Sequence, residues 1–560
     1  MLSFISFDGQ RPGVSFPLRH TTLVGPDGVG VGAEIHLDDG IIHCAVPPAS
    51  SSAGLSLQVP LESVPAAPDG GPVPALGRLT LRTCLLPPCE RPYLLSVELA
   101  RHRIMTFLNK LEDWALFDLP SDDPILLQFE RARQTFTAAL VAERAAGEAP
   151  GGHSPSADRL GWEALALAID AGEQLALRNA ERELERRLSG RAYAEAAALY
   201  QQATGDPPPN EAPIIVQNSV GVTLAGRPQV GVTVSPSQFA EPFQRAAEQS
   251  AEFISLPMRW IDMEPEEGEY SFTGTDRWIE WAVRRARLPV HAGPVIDFRA
   301  SAVPDWLYIW ENDYDTLREL VHDHLKAIVT RYRRTVSRWT IASGLHVNSN
   351  FKLSYEQIMD LTRLCVLLVR KLQPGAKVQL EIDQPWGEYY AISRQSIPPT
   401  LYADAVAQSG IAVDAYALRL TIGSPDSGCS TRDLMELSSI LDRYAALERP
   451  IFVTALGAPS RTLVPPDTQD CEPGYWRAPW SEPLQASWLA AAAPIILGKP
   501  FVLGMTWREL ADTPGQPSFG LVSAEGQPKP VLARLAGIRA AIREGRTSLG
   551  QSSLPAALTT

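Results

Sequence analysis

The stretch KVQLEIDQPWGEYY, residues 377–390, concentrates groups able to handle protons and to stack on a ring-shaped ligand. Strand alternation puts Val378, Leu380 and Ile382 on one face and Gln379, Glu381 and Asp383 on the other. Glu388 follows on a loop beside Trp386, Tyr389 and Tyr390, a mixture suited to stacking and hydrogen bonding. Asp297 and Glu509 are further acids at the ends of predicted strands, and Arg419 lies on another. Two neighbouring carboxyls can divide the work of nucleophile and proton donor. Glu381, Asp383, Glu388, Asp297 and Glu509 are therefore the catalytic candidates. Their structural alternative is a satisfied polar network, for example Glu381 paired with Arg419.

These residues need a frame that aims them at one place. From residue 213 to 545, eight short apolar runs alternate with helix-like stretches: VGVTV, FISLPM, LPVHAGPVI, RWTIAS, KVQLEI, VDAYALRL, PIFVTAL and PFVLGMTW. This order predicts an α/β fold, a (β/α)8 TIM barrel with its site at the C-terminal strand ends. A doubly wound open sheet is the runner-up and lacks a glycine-rich first turn. Residues 1–95 read as a β-rich, sandwich-like module, and GPDGVGVG within it reads as a hairpin turn. Residues 96–212 read as a helical connector and linker, with Ile104, Phe107, Leu108, Leu111 and Trp114 at helical spacing. AGEAPGGHSPSAD (146–158) reads as a loop, ATGDPPPNEAP (203–213) as a semi-rigid linker, and 546–560 as a flexible tail.

The barrel segments resemble the xylanases of glycoside hydrolase family 10. HLKAIVTRY (324–332), leading to Trp339, matches a family helix and the strand after it without a gap. RWIDMEPEEGEYSFTGTDRWIEWA (259–282), VPDWL (303–307), TWRELAD (506–512) and FGLVSAEGQPKPVLARL (519–535) resemble further family segments in order. The resemblance spans roughly 226–541 and implies a barrel acting on a β-linked glycan. It also implies that the family's acid/base glutamate falls on Gly344, after Ser343, and its nucleophile on Ala455. Family sugar contacts fall on Ser255, Leu256 and Arg259, and two family histidines on Pro294 and Arg299. Trp507 stands where a tryptophan floors the sugar subsite. The family's retaining hydrolysis needs two carboxyls about 5–5.5 Å apart, one attacking and one protonating. Glycine and alanine cannot transfer a proton, a contribution usually of about 10²–10⁴-fold in rate.

The expected substrate contacts are Trp507, Arg259, Trp386, Tyr389, Arg419, His346 and Trp476, the last in the loop CEPGYWRAPWSEP (471–483). Asn348 follows His346 beyond the fourth strand. Three functions stay open: hydrolysis of a β-linked poly- or oligosaccharide through relocated acids, glycan binding by an inactive barrel, or a protein scaffold. By analogy alone, the N-terminal module is a candidate carbohydrate-binding sandwich.

The remaining signals bound these readings. A net charge of −14 argues against nucleic acid. The most apolar run, Trp488 to Met505, is broken by Pro494, Lys499 and Pro500 and predicts no membrane span. The six cysteines lack metal spacing and read as idle thiols. No metal and no cofactor are expected, and His322 and His324 cannot share an ion from one helix. MLSFISFDGQRPG lacks a secretory pattern, so a cytoplasmic protein is expected, with unconventional export as the other route. Oligomeric state is not legible.

Overall fold

The eight apolar runs become eight parallel strands in a computed structural model that describes residues 1–14, 16–46, 51–62, 72–146, 153–208, 213–215, 222–462, 472–514, 518–547 and 549. They are Gln229–Thr233, Phe253–Leu256, Val290–Ala292 continued by Ile296–Asp297, Val336–Ser343, Lys377–Ile382, Ala415–Thr421, Ile451–Gly457 and Val502–Trp507. We number these barrel strands one to eight. Strand one pairs with strand eight, Val232 opposite Trp507, so the sheet closes. Closure leaves no edge, and both faces are covered, which is why the runs are apolar nearly throughout. Helices between the strands start on side-chain caps. Asp313 accepts from Thr316 N–H, Asp433 from Glu436 N–H, and Ser354 forms a capping box with Gln357.

The N-terminal part holds two sheets. One joins Leu2–Ile5 with Ile41–Cys44, Ile35–Asp38 and, in parallel, Tyr93–Leu94. The other joins Gly54–Leu61 with Gly77–Arg82 and with the hairpin Thr22–Val24 and Gly30–Val31, whose turn lies within GPDGVGVG. Helices Leu95–Asp113, Pro124–Ala146 and Pro155–Leu188 follow. The last packs against barrel helices Leu434–Ala445 and Glu482–Gly498. Leu108, expected inward, is 46% exposed, because the apolar face of its helix is narrower than the spacing suggests. Parts of the loop 146–158 and of the linker 203–213, and most of the tail 546–560, lie outside the described residues.

The three parts share one continuous core rather than hanging as beads. One apolar cluster runs from Leu2 and Leu57 through Leu165 and Leu167 to Trp488 and Trp507. The second N-terminal sheet even recruits a strand from the barrel: Tyr475 pairs with Arg78 and Trp476 with Gly77. A Cβ on Gly77 would stand 2.3 Å from Tyr475 O, so only glycine allows this approach. Arg187 ties the long helix to the barrel wall, donating to Leu497 O at 2.9 Å and Lys499 O at 2.7 Å. Among the described residues, no helix is long and apolar enough to cross a membrane.

Candidate functional site at the barrel mouth

Strand five aims Gln379, Glu381 and Asp383 into the barrel, as alternation requires. Gln379 Nε2 donates to Thr340 on strand four at 2.8 Å. Glu381 is only 3% exposed, and both its oxygens are engaged. Ser343 on strand four donates to Oε1 at 2.7 Å, and Thr454 on strand seven donates to Oε2. Reaching strands four and seven from strand five is possible only from the barrel interior. Arg419 on strand six lies 3.8 Å from Glu381 and 3.6 Å from Asp383. Asp297, fully buried, is gripped by Arg299 through its Nε at 2.9 and 3.0 Å, its Nη2 and its backbone N–H. Burial works against the Arg299 charge, yet Asp297, then Asp383 and Glu381, push its pKa up. The mouth thus brings together Asp297, Glu381 and Asp383 under two guanidiniums.

Gly344 and Ala455 sit at the same end. Gly344 follows strand four with φ of +62°, and a Cβ there would meet Asp383 Cβ at 3.3 Å. Ala455, with φ of 47°, lies where strand seven slips register against strands six and eight. Its carbonyl accepts from Thr421 Oγ1 at 2.7 Å. Both positions hold a left-handed backbone that a larger side chain adopts only under strain.

Glu509 is the acid with spare capacity. Arg508 Nε donates to its Oε1 at 3.0 Å, while Oε2 is buried with no hydrogen-bond partner among the described residues. Burial raises its pKa above the ordinary 4.5, with Arg508 opposing. His346 is fully buried behind the mouth, its Nε2 3.0 Å from Asp383 O, and burial lowers its pKa to about 4. Asn348 is spent on local backbone, donating to Leu353 O and Gln395 O. Arg259, at the rim after strand two, forks onto Asp262 at 2.6 and 3.0 Å.

Several expected contacts lie elsewhere, and each is corrected by burial. Trp507 is 0% exposed and donates to Phe519 O at 2.8 Å, so it is core and floors no open subsite. Tyr389 is buried with its hydroxyl on Ile397 O, which leaves no ring face for a sugar. Glu388 and Trp386 turn away from the mouth toward the N-terminal sheet. Glu388 pairs with Arg432 at 2.5 Å, and the same guanidinium stands 4.0 Å over the Trp386 ring. Trp476 is fully buried in the junction, donating to Glu173 at 2.8 Å. Aromatic and acidic loops that read as a sugar platform are instead packing for the N-terminal module.

That module occupies the rim itself. Thr80 N–H donates to Thr431 O at 2.8 Å, in the loop after strand six. Gln58 Nε2 donates to Glu472 O at 2.9 Å, beyond strand seven, and a Cβ on Gly30 would meet Glu388 O at 3.0 Å, beyond strand five. The N-terminal module therefore touches each of the loops after strands five, six and seven.

Among the described residues no cluster of side chains is arranged to hold a metal ion. The thiols of Cys44 and Cys365 are pushed up to about 12, and those of Cys84 and Cys429 to about 11, all chiefly by burial. Cys471 lies outside the described residues. His324 is a core histidine, stacked on Trp260 and 2.8 Å from Glu264, while His322 is half exposed beside Asp323.

A family model described as Glycosyl hydrolase family 10 matches residues 222–354. The barrel resembles glycoside hydrolase family 10. Endo-1,4-beta-xylanase 2 of Aureobasidium pullulans is 22% identical over 246 residues, 42% of this chain and 66% of that relative. Endo-1,4-beta-xylanase B of Thermotoga neapolitana is 26% identical over 86 residues, 15% of this chain and 24% of that relative. The chain therefore spans less than two thirds of the length of these relatives. Xylanase 10B from Thermotoga petrophila, solved in complex with xylobiose, superposes with a TM-score of 0.43 at 15% identity, covering 57% of this chain and 94% of that one. The matched segment of the family-10-like barrel includes Gly344 and stops short of Ala455.

Four more residues complete the mouth of this family-10-like barrel: Ser343 and Arg299, named from the sequence only as replacements of family residues, and Thr454 and Arg508, not singled out there. Ser343 and Thr454 are the hydroxyls on Glu381, and Arg299 and Arg508 are the cations on Asp297 and Glu509. A signal existed for the arginines, since each lies one or two residues from its acid. For the hydroxyls no local signal tied them to Glu381, because they belong to other strands; only the resemblance had pointed to Ser343.

Proposed function

We propose that the barrel mouth binds a short β-linked glycan without hydrolysing it by the two-carboxylate route. The observation that carries this reading is Glu381. A nucleophile or proton donor needs a free oxygen aimed at substrate, whereas both oxygens of Glu381 are held by Ser343 and Thr454, with Arg419 beside them. Asp297 is likewise consumed by Arg299. On the resemblance read from the sequence, the family's own acids would fall on Gly344 and Ala455, neither of which can ionise. A short ligand is favoured because the N-terminal module sits against the loops after strands five to seven and takes up part of the rim. The half-buried Trp306 and Tyr308, which follow strand three at the same end, supply aromatic surface in place of Trp507.

Glu509 favours a second reading, hydrolysis with this residue as general acid, because its carboxyl is raised by burial and keeps Oε2 unpartnered. A panel of oligosaccharides assayed for both binding and release of reducing ends separates the two. Binding without release is the expected result. Release abolished by Glu509→Gln would move the assignment to hydrolysis, and absence of binding to every glycan would sink both in favour of a protein scaffold.

A further inference from the structure

The junction between the N-terminal sheet and the barrel contains a small cavity, about 40 Å³, beside the Gly25–Val29 turn and the loops after strands five and six. Four arginines line it: Arg82 and Arg103 from the N-terminal half, Arg432 and Arg443 from the barrel. The carboxylates in reach are Glu388 on Arg432 at 2.5 Å, Asp433 on Arg103 at 2.8 Å, and Glu436 on Arg103 at 3.7 Å. Positive charge is therefore in excess. Burial, then the neighbouring Arg82 and Arg432, lowers the pKa of Arg443, with Glu436 opposing. His102, next to this cluster, is kept neutral by burial and by Arg82 and Arg103.

Buried hydrogen-bond donors without a partner outnumber such acceptors here, Asp433 Oδ2 beside Arg103 being the acceptor. Arg103 is 4% exposed, yet its Nε and Nη1 have no hydrogen-bond partner among the described residues. The same holds for Thr80 Oγ1, Arg82 Nε and Trp386 Nε1, all on residues lining the same space. Buried donors left unpaired cost free energy, and arginines converging from separate parts of the chain repel one another. One group relieves both: a compact anion with several acceptor oxygens. A water needs roughly 10–15 Å³ by this measure, so the space suits a tetrahedral oxyanion and is too small for a sugar ring.

We infer that this cavity is a binding site for a tetrahedral oxyanion of the phosphate or sulfate type, clamped between the N-terminal module and the barrel. Guanidiniums offer the forked donors that such oxygens accept. The site is separate from the barrel mouth, so its failure leaves the glycan reading standing, and the reverse.

The test uses the full chain, with sodium phosphate and sodium sulfate compared against sodium chloride at matched ionic strength. Calorimetric titration and thermal melts should show saturable binding and a raised Tm with phosphate or sulfate only. Arg443→Gln should weaken binding by about tenfold, the usual value of one hydrogen bond to a charged group. Arg133→Gln, at an exposed pair on a distant helix, should leave it unchanged. If Arg443→Gln does not fold, Trp386→Phe removes one donor and keeps most of the ring, and should weaken binding by a smaller factor. Methyl phosphate, small enough for the cavity, supplies the second arm. Competition at lower concentration than inorganic phosphate assigns the oxyanion to a phosphorylated ligand, and equal or weaker competition assigns it to the free ion. No effect of phosphate or sulfate beyond chloride, or equal binding by the folded Arg443→Gln variant, overturns the site.

Discussion

The barrel mouth and the junction beneath the N-terminal sheet are both built from arginines facing buried carboxylates, and they differ in what those groups hold together. At the mouth, Glu381 joins strands four, five and seven through Ser343 and Thr454, all within one barrel. At the junction, Glu173 on the long helix accepts from Trp476 Nε1 at 2.8 Å and from Leu434 N–H at 3.1 Å, with Arg477 paired to its other oxygen. Burial raises the Glu173 pKa, with Arg477 opposing. One network closes a barrel end, and the other locks two halves of the chain. A buried acid beside an arginine is thus no sign of catalysis by itself. Whether an oxygen stays free for a ligand decides the matter.

The sharpest way to break this comparison is Trp476→Ala. If Trp476 is junction core, its truncation should cost about 3–5 kcal/mol, read as a lowered denaturation midpoint. Weaker glycan binding at unchanged stability would return it to the role of a sugar contact.

Glu381→Gln comes next. The amide keeps the shape but presents a donor where Ser343 or Thr454 also donates, so about 1–3 kcal/mol of stability should be lost. No hydrolytic activity should vanish with it. Retained stability with lost turnover would overturn the structural assignment.

A pH titration compares the regions through their buried histidines, His102 at the junction and His346 behind the mouth. Burial lowers His102 from 6.5 to about 3, with Arg82 and Arg103 adding, and lowers His346 to about 4, with the Asp383 carbonyl opposing. The unfolded chain therefore takes up these protons first. Their contribution is complete above about pH 6.5 and is lost as pH falls toward 4 and 3, by at most about 1.4 kcal/mol per pH unit for each group. His102→Gln and His346→Gln should each flatten the acid limb of a stability profile. A limb unchanged in both variants would show that the rings are already protonated or exposed.

The smallest expected effect is from Gly344→Glu combined with Ala455→Glu. Xylan turnover should stay absent, because both backbones are left-handed and the new side chain at 344 meets Asp383. Vigorous hydrolysis by the double variant would show that the mouth is a family site lacking only its acids.

The sequence by itself determined the barrel. Strand alternation and order are local signals, and the eight runs from VGVTV to PFVLGMTW all become strands because each carries its own period and breakers. It also determined which strand-five residues face inward, since alternation has a period of two, and it anticipated Glu381 beside Arg419. Only the tertiary structure decided what the loops do. Trp386, Glu388 and Trp476 have the composition of a sugar platform, but an aromatic ring looks the same in sequence whether it meets solvent or another module. The partners that bury them, Arg432, Glu173 and Gly77, are 44 or more residues away along the chain. Contacts at that separation leave no periodic trace, and they turned candidate ligands into the seam of the fold.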